Sequence, residues 1–277
     1  MSTTNSDRQR DLLQDAERFS YKEIGAGEGL DLFVFSPPGL VEPAPAILFF
    51  YGGGFWEGGA LAQFVPQALH FASRGCVSIV VDYRLGRERG SSPLDGVEDA
   101  RDAVAWVSGQ AGRLGVDATK LVLGGASCGA FVALASVMDP PPQSVVDRPA
   151  GLLLFSPIVN VARGASVGRF GGKKLAKQVS PLHRVRRGLP PVILFHGTED
   201  PDQGISEIEA LARKLTRKKN VCELHVFRGE RSSFFNFNVD ATLYEATLNL
   251  ADEFLVRLGV LGGGADGAAT TRLESWR

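Results

Sequence analysis

Several shortages in this 277-residue chain narrow what it can be. Cysteine is scarce: Cys76, Cys128 and Cys222 form an odd, scattered set with no disulfide framework and no C-x-x-C metal pattern. That usage fits a reducing compartment, so the expected location is cytoplasmic. Net charge is nearly absent, since 30 Lys and Arg face 31 Asp and Glu. Binders of nucleic acid or anionic membranes carry a basic surplus, so neither is an expected partner. Long apolar runs are missing: the stretches at 46–50, 78–81 and 151–155 fall well short of the ~18–20 residues that cross a bilayer. The opening MSTTNSDRQRDLLQDAERF has no apolar segment of the kind a secretory signal needs. Histidine is the last shortage, with four in the whole chain.

What remains is ordinary globular usage, 44% apolar and 22% charged. A chain of this length buries roughly three quarters of its unfolded surface and needs no covalent staple. No internal repeat is visible. Residues 1–18 read as an extension carrying a loosely docked helix, 19–260 as one domain, and 261–277, rich in glycine and alanine, as a disordered tail. Within the domain, Phe19–Ile24 and Leu30–Phe35 read as a strand pair around GAGEG. Ala46–Tyr51, Val77–Val81, Leu121–Gly124, Leu152–Phe155, Val192–Phe195 and Val221–Phe227 read as further strands, several apolar throughout. Helical patterns lie between and after them, at Leu61–Ser73, Val97–Leu114, Ala130–Met138, Ile205–Lys218 and Val239–Leu258. This alternation predicts an α/β fold: a mostly parallel sheet with helices on both faces. Its chemistry belongs in the loops at the C-terminal ends of the strands.

Three such loops carry candidate residues. After the first buried strand comes Tyr51-Gly52-Gly53-Gly54-Phe55-Trp56, where three glycines allow N–H groups to turn toward a ligand or simply make a permissive turn. After the strand at 121–124 comes Gly125-Ala126-Ser127-Cys128-Gly129, a G-x-S-x-G pattern. Chance gives roughly 0.3 copies of that pattern at this glycine and serine content, so context must decide. Gly164-Ala165-Ser166-Val167-Gly168 fits equally well but has no strand before it and no small-residue helix after it. Ser127 has both. The third loop, Phe195-His196-Gly197-Thr198-Glu199-Asp200-Pro201, offers a carboxylate after the serine in chain order. Asp200 leads, with Glu199 and Asp202 behind it, and an ordinary Asp-Pro turn is the bland alternative. His196, at the strand end, reads as structural.

Together YGGGFWEGG, DYRL at 82–85, GGASCGA, SPLHRVRRGLPPVILFHGTEDP and FFNFN resemble the α/β-hydrolase esterases of the hormone-sensitive-lipase-like and acetyl-esterase (xylan-esterase-like) group. The resemblance spans roughly residues 21–259. It implies a single α/β-hydrolase domain with a minimal cap. It implies Ser127 as nucleophile, Asp200 as the orienting acid, and oxyanion N–H groups from Gly53, Gly54 and Cys128. The activity implied is hydrolysis of short-chain or sugar-linked acyl esters. The family motif often begins with His where this chain has Tyr51, a change in loop shape rather than in proton transfer.

A second departure bears on catalysis. The family carries its histidine base two residues before FFN, in a pattern like G-x-G-H-G-F-F-N. Here that position is Ser232, whose hydroxyl cannot accept a proton at neutral pH as imidazole does. His70 lies on a helix before the serine, and His225 lies mid-strand. His183, in the segment leading to the strand at 192, is the one weak stand-in. Two classes of function therefore stand: an esterase with an incomplete triad and weak turnover, or a hydrolase-fold small-molecule binder without turnover, as the plant gibberellin receptors are similar to. Ser232 as an engineered base-less substitution is a third reading.

The remaining signals are weaker. Residues 161–187 hold eight cations and no Asp or Glu, which is a solvated basic loop or an attractor of anionic ligands. GGKK at 171–174 lacks the rest of a phosphate loop. Phe55, Trp56 and Phe234 are candidate pocket residues or core. Cys128 reads as packed behind the serine. No cofactor or metal is implied, the small-molecule ester or ligand is the only expected partner, and the oligomeric state stays open.

Overall fold

The structure, a computed structural model, describes residues 9, 11–25, 27–55, 60–85, 91–139 and 148–262. The expected tail at 261–277 therefore falls almost wholly outside the described residues, as do Trp56 and most of residues 1–10.

Eight strands form one sheet in the order β1-β2-β4-β3-β5-β6-β7-β8. They are β1 (Glu17–Gly25), β2 (Glu28–Phe35), β3 (Ala44–Phe50), β4 (Val77–Val81), β5 (Val116–Ala126), β6 (Gly151–Phe155), β7 (Val192–Gly197) and β8 (Cys222–Phe227). β1, β2 and β4 pair antiparallel, and every other pair is parallel. The α/β reading holds, and the six parallel strands end along one edge.

Apolar strands produce this sheet because both of its faces are covered. β4, β6 and β7 are buried at every position. Successive side chains of β3 split between two cores, as the two-residue strand period requires. Ala46, Leu48 and Phe50 join a cluster with Ala100, Phe131 and Leu211. Ile47 and Phe49 join another with Phe71, Leu248 and Phe254. Helices α2 (Pro93–Gly109), α3 (Cys128–Met138) and α4 (Ile205–Arg217) thus cover one face, and α1 (Val65–Ser73) and α5 (Ala241–Arg257) the other. Among the described residues no helix is long and apolar enough to cross a membrane.

Among the element boundaries that differ from the expected ones, two have a clear physical reason. α2 starts at Pro93, four residues earlier than its apolar period suggests. Ser92 caps it, Asp95 returns the bond in a capping box, and proline opens the first turn. β5 starts at Val116 rather than Leu121, because Ala44 of β3 pairs with Val116 across an irregular register.

Candidate active site

Ser127 sits between β5 and α3 with φ 51° and ψ −115°. A side chain held in such a backbone conformation costs of order 1–3 kcal/mol, so its surroundings must impose it. They do so through the flanking glycines. A Cβ on Gly129 would lie 2.1 Å from the Phe50 carbonyl oxygen and 2.4 Å from that of Tyr51. A Cβ on Gly125 would lie 2.6 Å from the backbone of Gly129. The Ser127 N–H donates to the Phe155 oxygen at 3.0 Å, tying the turn to β6. The competing pattern has none of this: Ser166 lies in a 3-10 turn, Gly164–Phe170, and a Cβ on Gly168 meets nothing within 4 Å.

The loop after β3 lies alongside the serine, since a Cβ on Gly52 would sit 3.5 Å from the Ser127 Cβ. Gly54 takes φ 66°, the left-handed conformation that glycine permits. The Gly52 N–H donates to Gln63 Oε1 at 2.7 Å, and Gln63 Nε2 donates to Asn236 Oδ1 at 3.2 Å. The Gly53 N–H donates to Cys128 Sγ at 3.0 Å. Gln63 was not visible as a site residue in the sequence, because a lone glutamine after a glycine loop carries no pattern.

The aromatic candidates are interior. Phe55 is 2% exposed and packs edge-on against Phe131 and Phe170, both at 5.4 Å. Phe234 is 2% exposed and packs against Phe227 at 4.5 Å. Both expected pocket rings are thus placed in core packing. Trp56 lies outside the described residues.

Asp200 follows β7 with its side chain 1% exposed. Its Oδ1 accepts the N–H groups of Asp202 at 2.9 Å and Gln203 at 3.2 Å. Its Oδ2 is buried with no partner. Burial pushes the carboxyl above the ordinary carboxylate range. Glu199 and Asp202 are exposed. His196 is fully buried, its Nε2 donates to the Gln203 carbonyl at 2.8 Å, and burial pushes its pKa down. Nε2 stays 3.9 Å from Asp200 Oδ2, too far for a hydrogen bond.

Ser232 is half-buried in the loop after β8. That loop crosses the end of β7: the Glu199 N–H donates to the Glu230 oxygen at 2.9 Å, and a Cβ on Gly197 would lie 2.2 Å from it. Phe235 then anchors against Phe155, ring centres 4.8 Å apart. Phe155 is the residue whose carbonyl holds the Ser127 N–H. The Ser232 loop thus runs from the Asp200 loop to the Ser127 turn.

The histidines sit elsewhere. His70 pairs with Asp252 at 3.0 Å. His225 stacks on Phe195 at 5.8 Å. His183 is exposed after Leu182, with its pKa pushed down by partial burial and by Lys214 and Lys177. Among the described residues no hydrogen bond joins any of the four rings to Ser127. Half of the basic cluster is engaged internally. Arg163 pairs with Glu207, Arg184 with Asp139, Arg186 donates to the Val137 and Met138 carbonyls, and Arg169 to that of Ser91.

Comparison with known proteins agrees with this architecture. Residues 47–178, which include the glycine loop and Ser127, match a family model described as alpha/beta hydrolase fold. The structure is similar to the propionate-bound esterase Est2 of Thermogutta terrifontis, with a TM-score of 0.83 and 36% identity over 91% of this chain and 98% of that one. The sequence is 23% identical over 205 residues to Esterase LipC of Mycobacterium tuberculosis, covering 63% of this chain and 49% of the relative. It is 33% identical over 97 residues to Carboxylesterase NlhH of the same species, covering 35% of this chain and 30% of the relative. The chain spans half or less of the length of these two curated relatives. With sheet order, glycine-flanked serine turn and matching relatives in agreement, the chain belongs to the α/β-hydrolase fold family, in its hormone-sensitive-lipase-like esterase group.

Proposed function

We propose that the chain is a serine carboxylic-ester hydrolase, a single domain over residues 19–260 acting on short-chain or sugar-linked acyl esters. The observation that carries this reading is the backbone of Ser127. A φ of 51° enforced by glycine contacts on both sides lifts a serine to the sheet edge, and a fold has little other reason to maintain it. Ser127 Oγ attacks the acyl carbonyl. The N–H groups of Gly53, Gly54 and Cys128 receive the developing oxyanion, each such donor being worth about 10²–10³ in rate. Asp200 is the acid of the triad, already held by two backbone N–H groups. Esterase names among the relatives and propionate in the solved one support a short acyl group.

The base is the missing member. Ser232 stands at its position, and the partnerless Oδ2 of Asp200 supports that assignment, since a histidine there would donate to it. Loss of a triad member costs roughly 10⁴–10⁶ in rate and leaves about 10³–10⁴ over water. The test is p-nitrophenyl acetate hydrolysis at pH 8 by the parent, Ser127→Ala and Ser232→His. A parent above the Ser127→Ala blank, with a large further gain in Ser232→His, supports the reading. A silent parent beside an active Ser232→His makes the natural protein a binder with an intact but base-less site. Silence in all three, with no fluorophosphonate labelling of Ser127, removes the serine-hydrolase assignment.

A further inference from the structure

We infer that the Cys128 thiol is a positioning group that holds the Gly53 N–H away from the acyl oxygen in the resting protein, so that the side chain after the nucleophile limits the rate of ester attack. This inference rests on the reading of Ser127 as nucleophile.

The contacts that carry it close on themselves. The Gly53 N–H donates to Cys128 Sγ at 3.0 Å. The same sulfur lies 3.7 Å from Tyr83 Oη. Tyr83 donates its O–H to the Tyr51 carbonyl at 2.6 Å, which leaves its oxygen as an acceptor toward the S–H. Burial holds the Tyr83 phenol protonated, so this direction persists across the working pH range. A relay therefore runs from Gly53 N–H through the thiol and the Tyr83 hydroxyl to Tyr51, back into the loop it started from. Cys128 and Tyr83 are 0% and 1% exposed, so water does not compete.

An N–H aimed at sulfur must be recruited before it can serve an oxyanion. Sulfur is a weak acceptor, and a neutral ester carbonyl gains little by displacing it. The charged oxygen of the tetrahedral state gains more. The thiol contact is therefore given up mainly in the transition state, so its removal should raise kcat and leave KM alone. A merely structural role predicts something else: truncating a fully buried thiol lowers stability and does not accelerate anything.

The experiment uses the full chain with Cys128→Ala and Cys128→Ser, each also combined with Ser232→His to supply turnover. The Gly53 amide proton is followed by NMR, and p-nitrophenyl acetate kinetics are measured in the Ser232→His pair. The expected result is an upfield move of the Gly53 amide in Cys128→Ala and a gain of about fivefold in kcat at constant KM, the size of one modest hydrogen bond. Cys128→Ser keeps an acceptor and should recover less than half of that gain. An unmoved Gly53 amide overturns the contact. A moved amide with kcat unchanged or lowered overturns the rate role. If neither the parent nor Ser232→His turns over and Ser127 takes no fluorophosphonate label, the hydrolase reading fails and the rate role with it, and the NMR result still reports separately on the contact.

Discussion

Replacing Gly129 by alanine tests whether backbone packing is what makes the serine turn. The new Cβ would stand 2.1 Å from the Phe50 oxygen, 2.4 Å from the Tyr51 oxygen and 2.6 Å from the Phe50 carbonyl carbon, against a floor near 3.0 Å for real Cβ contacts. All three neighbours are main chain, so no side-chain rotation relieves the overlap. The start of α3 must separate from the end of β3 by about 0.9 Å. Overpacking of a core costs roughly 1–3 kcal/mol, and a clash with backbone belongs at the upper end of that range. At about 2–4 °C per kcal/mol for a domain of this size, a loss of ~3 kcal/mol lowers Tm by about 6–12 °C. The same separation moves Ser127 relative to the glycine loop, so in the Ser232→His background fluorophosphonate labelling should slow as well. Gly168→Ala is the matched control, the equivalent glycine of the other G-x-S-x-G, where a Cβ meets nothing within 4 Å. Surface changes of that kind stay within about 0.5 kcal/mol. If Gly129→Ala melts with the Gly168→Ala control, the packing argument for the turn is wrong.

Gln63→Leu strips the acceptor from the Gly52 N–H and the donor from Asn236 Oδ1. A partly buried N–H left unpaired should cost about 1–3 kcal/mol in urea unfolding, and a loss below about 0.5 kcal/mol would show that the tie between the two loops is idle. His196 gives a pH signature. Burial lowers its folded pKa, so its contribution is present above the unfolded value of 6.5 and is lost as pH falls through the folded one. Stability should therefore decline between pH 7 and 5 by up to ~1.4 kcal/mol per pH unit, and His196→Gln should flatten that slope; an unchanged slope refutes the assignment. For Asp200 the sign reverses. Its raised folded pKa gives a contribution present below the ordinary 3.8 and lost as pH rises, so at neutral pH the unpaired carboxylate is a cost. Ser232→His should raise Tm more at pH 7 than at pH 4, and equal effects at the two pH values would show that the new ring does not reach Oδ2.

The sequence carried the sheet and the serine turn because both are written in local pattern. Runs such as AILFF and VSIVV can only be strands covered on both faces. The true G-x-S-x-G separates from the false one by its neighbours, a strand before and ALAS after. The start of α2 was missed, because apolar periodicity hides a start that S-P-L-D encodes as the cap, the proline and the reciprocal carboxylate. The extra length of β5 was missed too, since Asp117-Ala118-Thr119-Lys120 is polar and becomes strand through its pairing with β3. Contacts between loops were beyond reach altogether. Gln63 meets Asn236 across 173 positions of chain, and the Cys128 thiol meets Gly53 across 75. The aromatic candidates stayed ambiguous for a different reason. An aromatic residue beside a functional loop has the same sequence signature in a core as in a binding site, and Phe55 and Phe234 turned inward.

The parts of the site differ in what keeps them in place, and this bears on how a chain can retain an esterase architecture around a serine at position 232. The Ser127 turn is held by main-chain contacts of Gly125 and Gly129 and by a bond to β6. The glycine loop is held by Gln63, Cys128 and Tyr83. None of these contacts involves Ser232, so under the proposed function a serine in place of the base loosens neither. The loop bearing Ser232 is fixed from both ends, by Glu230 against Gly197 and by Phe235 against Phe155. On that reading the change registers at Asp200, whose buried Oδ2 has no donor. On the proposed function, the energetic penalty of a serine at 232 falls on that carboxylate, while its kinetic penalty is several orders of magnitude. Under the proposed function architecture and turnover are separable, because scaffold packing holds Ser127 and the glycine loop, and a base would contribute only the proton transfer.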